Sequence, residues 1–428
     1  MIHEGFDIFA FSSYDPEKFI ETVRSMHSPV AFYGCGIQSR TIISIFEHLN
    51  LSSLIEVYDN SPSKINTKFC GYDVRNAQDL NSSNNCFVIL TCSFPAQVFR
   101  DLESRHTLLS AFPLFEHYFV QLSEDSLHSE GLNYQRSFSD VEREFQFYQN
   151  DVQNFISKLD ETTLTLKSVD AVVTEGCSLK CIDCSNLMQY YKKPKSADYE
   201  LLKSSTTLLL KSVDNVLEWR ILGGEPLIYK YLSEYLLFLK EFANIGSIVV
   251  YTNGTILPND ALISAFRESK AVVEISNYGD ISRNALTLKN ILLSSGIRCT
   301  LKDPIWTDSG RIQQFKNESH TQLEEKFFRC CTNDILTILH GKLYHCPFSA
   351  NLINLDNKYF STEDVLDLSS EQSPENSLRN QISKFYREKT YLNSCNYCNG
   401  RDFTTPRIDT AIQAEKVLPI PEIPNTIE

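Results

Sequence analysis

Cys177-Ser-Leu-Lys-Cys181-Ile-Asp-Cys184 brings three cysteines into one short segment of this chain. An apolar run at 169–174 precedes the segment and is typical of a buried strand, so we expect the cysteines in the loop at that strand's C-terminal end. Three thiolates at this spacing suit an iron–sulfur cluster whose fourth iron has no protein ligand. Zinc remains the alternative, although it would need a fourth ligand that this loop does not offer.

A regular alternation of strands and helices begins at the same place. Further strand-like runs, with helical patterns between them, follow at 217–222, 247–252, 271–276 and 297–301. Repeated β–α units imply a parallel sheet with right-handed crossovers. The predicted fold class is therefore α/β, with a partial (β/α)6 barrel of the TIM type. In such barrels the chemistry takes place at the C-terminal strand ends, which is where the three cysteines are expected.

Composition excludes several classes of protein. The 428 residues are 42% hydrophobic and carry a net charge of −14, which argues against a general binder of nucleic acid or membrane surfaces. No apolar run of about 18 residues predicts a transmembrane helix, and the N-terminus lacks the pattern of a signal peptide. We therefore expect a cytoplasmic protein, in which clustered cysteines among the 13 indicate metal binding or catalysis rather than disulfides.

The first hundred residues have the order of a Rossmann-like half. A strand-like run at 28–34 leads into Gly34-Cys-Gly36, a helical pattern follows, and a second run at 54–58 ends at Asp59. In such a half the glycines allow close approach to a phosphate and the acidic residue binds a ribose hydroxyl. Because Ser39 stands where a third glycine would be, nucleotide or nucleotide-sugar binding and a structural or partner-docking role both remain open.

A second group of cysteines lies nearer the C-terminus. Between Cys331 and Cys346, apolar residues flank a His-Gly turn at 340–341, which predicts a β-hairpin that brings the two sulfurs together. Cys395 and Cys398 offer a further pair. Four thiolates suit either a zinc ion or a second iron–sulfur cluster.

These patterns divide the chain into four predicted parts. A Rossmann-like α/β domain occupies 1–120, and a polar, helical linker occupies 121–165. The partial barrel occupies 166–310. A small domain with the second group of cysteines, followed by a proline-spaced tail, occupies 311–428.

The motif of Cys177, Cys181 and Cys184 after the first barrel strand resembles the radical S-adenosylmethionine (radical SAM) superfamily. After the second strand, the Gly-Gly-Glu stretch at 223–225 is similar to that family's GGE motif. The resemblance implies a [4Fe–4S] cluster at the cysteines, with S-adenosyl-L-methionine (SAM) bound at its open iron. It also implies SAM contacts from Gly223, Gly224, Glu225, Thr252, Asn253, Ser276 and Asn277.

One position departs from the family's pattern. Asp183 stands before the third cysteine, where the family usually has an aromatic residue near the adenine, so another group would have to hold that ring. The chemistry that the resemblance implies is reductive cleavage of SAM to methionine and a 5′-deoxyadenosyl radical, which removes hydrogen from a substrate. The electron would come from a donor such as flavodoxin or ferredoxin.

The second cysteine group resembles the auxiliary-cluster extension of this family that is called SPASM or Twitch. Because only one set of four cysteines is present, the shorter Twitch-like form fits better. The family's spacing implies an auxiliary [4Fe–4S] cluster, with Cys331 rather than the adjacent Cys330 as a ligand beside Cys346, Cys395 and Cys398. Such a cluster suits oxidation of a substrate radical, electron relay or epimerisation.

Candidate residues for a substrate pocket lie between the two cysteine groups. A buried glutamate is costly unless it is paired, so Glu274 in the fourth strand is either catalytic or a paired structural residue. Asp308 follows the fifth strand and is either a catalytic group that accepts a hydroxyl proton or an ordinary turn residue. Arg220 and Trp306 are further pocket candidates.

The function that we expect is that of a radical SAM oxidoreductase acting on a small polar molecule. The Rossmann-like N-terminal part favours a sugar or nucleotide-sugar, to be oxidised or epimerised, and no winged-helix recognition domain is predicted there. Two alternatives remain open: a radical SAM enzyme that modifies peptides, and a non-catalytic scaffold that binds zinc or a cluster. Neither nucleic acid nor a membrane is an expected partner.

Overall fold

The chain forms two compact units, Met1–Asp160 and Glu161–Glu428. A computed structural model describes residues 2–3, 6–82, 86–92, 98, 102, 106–122, 138–368, 377–402 and 405–421. In that part of the chain, every helix is too short or too polar to cross a membrane.

The N-terminal unit contains a six-stranded sheet. Its spatial order is β5-β6-β4-β3-β7-β8, and only the β5–β6 pair is antiparallel. The strand-like runs predicted at 28–34 and 54–58 are neighbouring parallel strands of this sheet. In chain order the strands of the unit are β1 Ile2–His3, β2 Phe6–Asp7, β3 Val30–Tyr33, β4 Ile55–Asp59, β5 Lys68–Phe69, β6 Tyr72–Asn76, β7 Phe87–Leu90 and β8 Thr107–Ser110.

Part of the predicted linker at 121–165 belongs instead to the core of this unit. The helix Phe138–Lys158 buries one face against the sheet and its helices, because its apolar residues recur at helical spacing. The ring of Phe145 stacks on that of Phe115 with the centroids 3.8 Å apart. Residues 123–137 of the predicted linker lie outside the described residues. The described part of the unit also contains the helices Ile8–Ser12, Pro16–Met26, Ile37–His48 and Phe112–Tyr118.

The C-terminal unit contains an eight-stranded sheet in the order β13-β12-β11-β10-β9-β15-β16-β17. A separate antiparallel pair is formed by β14 and β18. Helices cover the sheet at Tyr199–Ser212, Leu232–Leu239, Asp260–Ser269, Ala285–Ser294, His320–Arg329, Pro347–Leu355 and Leu378–Arg387. The strands are β9 Thr165–Thr174, β10 Asn215–Gly223, β11 Ile245–Thr252, β12 Val272–Ser276, β13 Cys299–Lys302, β14 Trp306–Thr307, β15 Ile335–Leu339, β16 Lys342–Tyr344, β17 Val365–Asp367 and β18 Arg407–Ile408.

The α/β class is confirmed, but the sixth parallel strand comes from an unexpected place. Strands β9 to β13 are the predicted parallel series, and β15 is parallel to β9 on the opposite side from β10. The predicted hairpin therefore extends the barrel sheet, and a boundary at 311 would divide that sheet. The reason is that β15 supplies the hydrogen bonds that the free edge of β9 would otherwise lack.

The two faces of this sheet differ in character, and the difference positions the site. Val169, Ala171 and Val173 of β9 belong to the apolar core on one face. Ser168 and Asp170 alternate with them and bury polar groups on the other face. The interior face of the sheet therefore carries buried polar groups, which are separated from the first cysteine loop by an apolar layer that includes Val172 and Leu222.

The packing of the helix Phe138–Lys158 gives a first prediction. Replacing Phe145 with alanine leaves a cavity beside Phe115 and should lower the free energy of unfolding of the N-terminal unit by about 3–5 kcal/mol. Urea denaturation measures the change. Glu142→Ala on the exposed face of the same helix is the matched control and should change it by less than about 0.5 kcal/mol. Equal stability of the two variants would mean that the helix is a linker.

Candidate functional site

The first three cysteines lie in the loop that follows β9, as predicted. A turn holds the last of them, because Cys184 N donates to Cys181 O at 3.3 Å. Burial raises the pKa of the Cys177 thiol to about 12 and that of the Cys181 thiol to about 11. Without a metal the thiols therefore stay protonated near neutral pH. Metal binding would release these protons, because the thiolate is the form that binds.

Two glycines let the end of β10 approach this loop. Gly224 N donates to Thr174 O at 2.8 Å, and Glu225 N donates to Gly176 O at 2.9 Å. A Cβ on Gly224 would overlap the carbonyl oxygen of Gly176, and one on Gly223 would overlap that of Thr174. No residue with a side chain fits at these positions without displacing the cysteine loop. The Gly-Gly pair thus has a packing role that is independent of any ligand.

Two side-chain amides donate hydrogen bonds to the sulfurs. Asn253 Nδ2 lies 3.6 Å from Cys177 Sγ, and Gln413 Nε2 lies 3.2 Å from Cys181 Sγ. Backbone hydrogen bonds also pair the segment around Gln413 with the cysteine loop. The sequence analysis singled out Asn253 but missed Gln413, because a contact across 232 residues has no local pattern.

Glu225 connects the ends of the second and third barrel strands. One carboxylate oxygen accepts from Leu227 N at 3.0 Å and from Thr252 Oγ1 at 2.8 Å, and the other accepts from Asn253 N at 2.8 Å. Burial raises the pKa of Glu225 to about 7, and these hydrogen bonds oppose the increase. Glu225 and Thr252 therefore contact each other, and their predicted contacts with SAM remain predictions.

The residues predicted after the fourth strand bind to neighbouring backbone and side chains. Asn277 Nδ2 donates to Asp303 Oδ1 at 2.7 Å, and Asn277 N donates to Lys302 O at 2.8 Å. The carbonyl of Ser276 accepts from Ser282 Oγ at 3.1 Å. These are the bonds of a strand end and its turn, so the roles of Ser276 and Asn277 toward SAM also remain predictions.

Asp183, which departs from the family's pattern, forms an ion pair with Arg311. The carboxylate accepts hydrogen bonds from the guanidinium Nε and Nη2, the latter at 3.2 Å. A Cβ on Gly310 would overlap the carbonyl oxygen of Asp183, so the two segments touch through their backbones. Asp183 therefore attaches the cysteine loop to the segment around Arg311.

An aromatic pair lies near the same loop. The rings of Tyr278 and Trp306 meet edge to face with their centroids 5.7 Å apart. Burial raises the pKa of the Tyr278 hydroxyl, and the nearby thiols of Cys184 and Cys181 add to the increase. The aromatic surface that position 183 lacks is thus present on two other segments.

A histidine of the hairpin turn contacts the residue that follows β9. His340 Nε2 lies 2.7 Å from Glu175 Oε1, which also accepts from Asn354 Nδ2 at 2.8 Å. Burial raises the pKa of Glu175, but the hydrogen bonds from His340, Lys195 N and Asn354 outweigh it and leave the pKa below its usual value. The hairpin therefore holds the loop two residues before Cys177.

The second group of cysteines converges on a cavity with an empty volume of about 540 Å³, part of it open to solvent. The predicted ligand Cys331 does not line it, but Cys330 does. Cys330 ends the helix His320–Arg329 in an extended conformation, and Cys331 begins the turn that follows. The four cysteines that line the cavity are Cys330, Cys346, Cys395 and Cys398.

Hydrogen-bond donors surround these sulfurs as well. Ser349 N lies 3.3 Å from Cys346 Sγ, and Gly400 N lies 3.3 Å from Cys398 Sγ. Thr332 Oγ1 lies 3.1 Å from Cys330 Sγ. Backbone N–H groups directed at sulfur stabilise thiolate ligands.

The two cysteine groups offer different numbers of thiol donors. A structural zinc ion takes four ligands around one metal. In a cubane cluster each thiolate binds a different iron, so the sulfurs stand further apart. Three thiols in the first loop and four in the cavity fit this donor set.

A polar group lies on the interior face of the sheet. Arg220 Nε is 2.8 Å from Asp170 Oδ1, and the guanidinium lies over the ring of Tyr251 at 5.2 Å. Thr337 is the register partner of Asp170 on β15. Asp170 and Arg220 form an ion pair. Within the described structure, neither carboxylate oxygen of Asp170 accepts a well-aligned hydrogen bond, and Thr337 Oγ1 takes part in none. Burial raises the pKa of Asp170 to about 6, while Arg220 opposes the increase.

The two predicted catalytic carboxylates are placed differently. Glu274 is buried and lies 3.8 Å from Lys302 Nζ, which favours the paired structural interpretation. Asp308 lies in the turn after β14, where its backbone bonds to Pro406 O and to the Asn399 side chain. Their catalytic roles stay predictions.

In the N-terminal unit, Asp59 bonds to its own loop and to the loop that follows β3. Its carboxylate accepts from Cys35 N at 2.9 Å and Ser61 N at 2.8 Å, and it pairs with Lys64 at 3.2 Å. The helix Ile37–His48 follows the glycines, as the Rossmann-like order predicts. A ribose would have to replace some of these bonds, so nucleotide binding stays a prediction.

Comparison with curated proteins finds similarity to part of the chain. No family model matches. A GTP 3',8-cyclase of Pelotomaculum thermopropionicum is 26% identical over 117 residues, which cover 26% of this chain and 36% of the relative. A GTP 3',8-cyclase of Clostridium acetobutylicum is 31% identical over 94 residues, which cover 21% of this chain and 28% of the relative. The chain thus spans about a third of the length of these relatives.

Solved structures resemble the chain weakly. BtrN in complex with AdoMet and 2-DOIA is 15% identical and covers 59% of this chain and 98% of its own, with a TM-score of 0.36. Streptococcus suis SuiB is 18% identical, and the match covers 50% of this chain and 47% of SuiB, with a TM-score of 0.28. At such TM-scores the likeness carries no argument about the site.

The contact between Gly224 and Gly176 predicts the effect of one methyl group. Gly224→Ala should displace the cysteine loop at a cost of about 1–3 kcal/mol, which corresponds to roughly ten- to hundredfold faster alkylation of Cys177 in the metal-free, reduced chain. Mass spectrometry of the labelled peptide measures the rate. Gly36→Ala is the control, since its methyl would meet only the end of the Gln38 side chain. Equal rates in both variants would contradict the packing role.

Proposed function

We propose, from the chain's membership of the radical SAM superfamily, that it is an enzyme that cleaves SAM and removes hydrogen from a small polar substrate. When bound, the [4Fe–4S] cluster and SAM would supply a 5′-deoxyadenosyl radical. Cys177, Cys181 and Cys184 would hold the cluster. A donor of the flavodoxin or ferredoxin class would provide the electron.

The main support for the proposal is that several separate segments hold the three-cysteine loop in place. The loop lies at the C-terminal end of the first barrel strand, where barrel enzymes place their chemistry. The backbone of Gly224 packs against it, and Asn253 and Gln413 donate to two of its sulfurs. A ligand loop positioned from three separate segments is pre-organised for its metal.

The residues around the loop also suit SAM. Gly223 and Gly224 end β10 against the cysteine loop, where their carbonyl groups would accept hydrogen bonds from the ammonium group of the methionine end. We assign the adenine to Tyr278 and Trp306, whose rings would replace the aromatic residue that Asp183 displaces. Both rings then stack or pack on a flat, apolar base surface.

The substrate class follows from the polar interior face. Asp170, Arg220 and Thr337 place a carboxylate, a guanidinium and a hydroxyl side by side on three neighbouring strands. Buried groups with unused hydrogen-bonding capacity are costly unless a ligand or water satisfies them. A molecule rich in hydroxyl or amino groups, such as a sugar or nucleotide-sugar, would satisfy them. Oxidation or epimerisation of such a substrate is the proposed reaction.

The cavity near the C-terminus supports an auxiliary [4Fe–4S] cluster. Its proposed ligands are Cys346, Cys395 and Cys398 together with Cys330, which replaces Cys331 in the set expected from sequence. Ser185, which follows Cys184 of the first loop, also lines this cavity, so the two groups of cysteines lie near each other, as electron transfer between them would require.

Loss of the first three cysteines tests the proposed activity. Anaerobically reconstituted protein with dithionite and SAM should form 5′-deoxyadenosine, and the variant with Cys177, Cys181 and Cys184 replaced by alanine should form none above background. A variant with Cys35, Cys70 and Cys86 replaced by alanine is the matched control and should keep the activity. Wild-type protein that holds only zinc after anaerobic purification would support the scaffold alternative.

Single replacements of the two adjacent cysteines test the auxiliary ligand set. In the background without the first three cysteines, about four irons per chain should remain. Adding Cys330→Ala should remove most of this iron, whereas adding Cys331→Ala should leave it, because only the Cys330 side chain lines the cavity. Iron and sulfide analysis gives the result, and the reverse pattern would restore Cys331 as the ligand.

A further inference from the structure

Arg401 shares the cavity with the four cysteines. Its side chain lines the cavity beside the sulfurs, and its Nε donates to Ser309 Oγ at 3.1 Å. Its carbonyl accepts from Cys331 N at 2.9 Å, which fixes the backbone next to the cysteines. Its guanidinium forms no ion pair with any carboxylate among the described residues.

Two other cations, Lys326 and Lys316, lie near the cavity and have partners of their own. Lys326 forms an ion pair with Glu318 and donates to the carbonyls of Cys395 and Cys398 at 3.1 Å. Lys316 Nζ donates to Cys398 O and to Asn399 Oδ1. Lys326 lines the cavity but pairs with Glu318, and Lys316 does not line it, whereas Arg401 lines the cavity without a direct ion pair to a described carboxylate. Withdrawing such a charge from water is costly unless an anion lies nearby.

We infer that Arg401 is a positioning residue that raises the reduction potential of the auxiliary cluster. The inference rests on the proposed function, because it requires a cluster held by Cys330, Cys346, Cys395 and Cys398. Four thiolates make that cluster an anion, and the guanidinium is the cation that its cavity provides. Four neutral thiols without a cluster could not balance the positive charge of Arg401.

The direction of the effect follows from electrostatics. One-electron reduction adds a negative charge to a group that is already anionic. A fixed positive charge close by, in a region poorer in water than the surface, stabilises the reduced form more than the oxidised form. Arginine keeps its charge at all accessible pH values, so the effect should persist across the pH range of the enzyme. A higher potential makes the cluster a better acceptor of an electron from the substrate.

The field of Arg401 also reaches beyond the cavity. Arg401 acts to lower the pKa of Cys184 in the first loop and that of Asp170 on the interior face, although burial outweighs it at both. The guanidinium therefore lies within electrostatic range of the first cysteine loop, of the polar interior face and of the cavity. This is the region through which an electron would leave the substrate.

A redox titration tests the inference directly. The full chain without Cys177, Cys181 and Cys184 keeps only the auxiliary cluster, and electron paramagnetic resonance follows its reduction. Arg401→Gln should lower the midpoint potential, and Arg401→Lys, which keeps the charge, should lower it less. Arg407→Gln is the matched control: it removes the same charge from the same tail at an exposed position, and it should leave the midpoint unchanged.

The outcomes separate the inference from the function on which it rests. A background protein that holds no iron would refute the auxiliary cluster itself. Full cluster content with an unchanged midpoint in Arg401→Gln would overturn the role of Arg401 alone. If Arg401→Gln loses the cluster while Arg401→Lys keeps it, the positive charge is needed to hold the anion, which supports the inference. Loss of the cluster in both variants would reduce Arg401 to a packing residue and overturn it.

Discussion

The close approach of two backbones holds the first site together. The end of β10 can bond to Thr174 and Gly176 only because Gly223 and Gly224 carry no side chains. This contact brings Glu225 to the position from which its carboxylate binds the end of β11. Three consecutive strand ends are thereby connected, and the cysteine loop rests on them. The geometry of the thiols depends on the absence of two Cβ atoms.

Segments from distant parts of the chain complete the support. The tail around Gln413, the hairpin turn at His340 and the segment at Arg311 each bond to the loop or its flanks. Each contributes a modest free energy, on the order of 1 kcal/mol for a hydrogen bond and more for one to a charged group. Together they prevent the loop from moving away from the sheet, which matters because a ligand loop that is free to move holds its metal poorly.

Much of this could be predicted from local patterns. The spacing of Cys177, Cys181 and Cys184, the alternation of strands and helices, and the turn at Gly341 are each set by neighbouring residues, and the structure places them as expected. The position of β15 beside β9 could not be predicted, because strand order depends on which edge is free. The helix Phe138–Lys158 has a polar composition that suggested a linker, although its apolar face was enough to join a core.

By itself, the sequence determined the α/β class, the two groups of cysteines and the glycines at the strand end, since spacing and residue size are local properties. Only the tertiary structure placed Cys330, and not the adjacent Cys331, among the residues that line the cavity, because the lining of a cavity depends on how distant segments pack around it. It also decided that Gln413 reaches Cys181 and that Arg401 lies among four thiols. Such contacts join residues far apart in the chain, and packing alone brings them together.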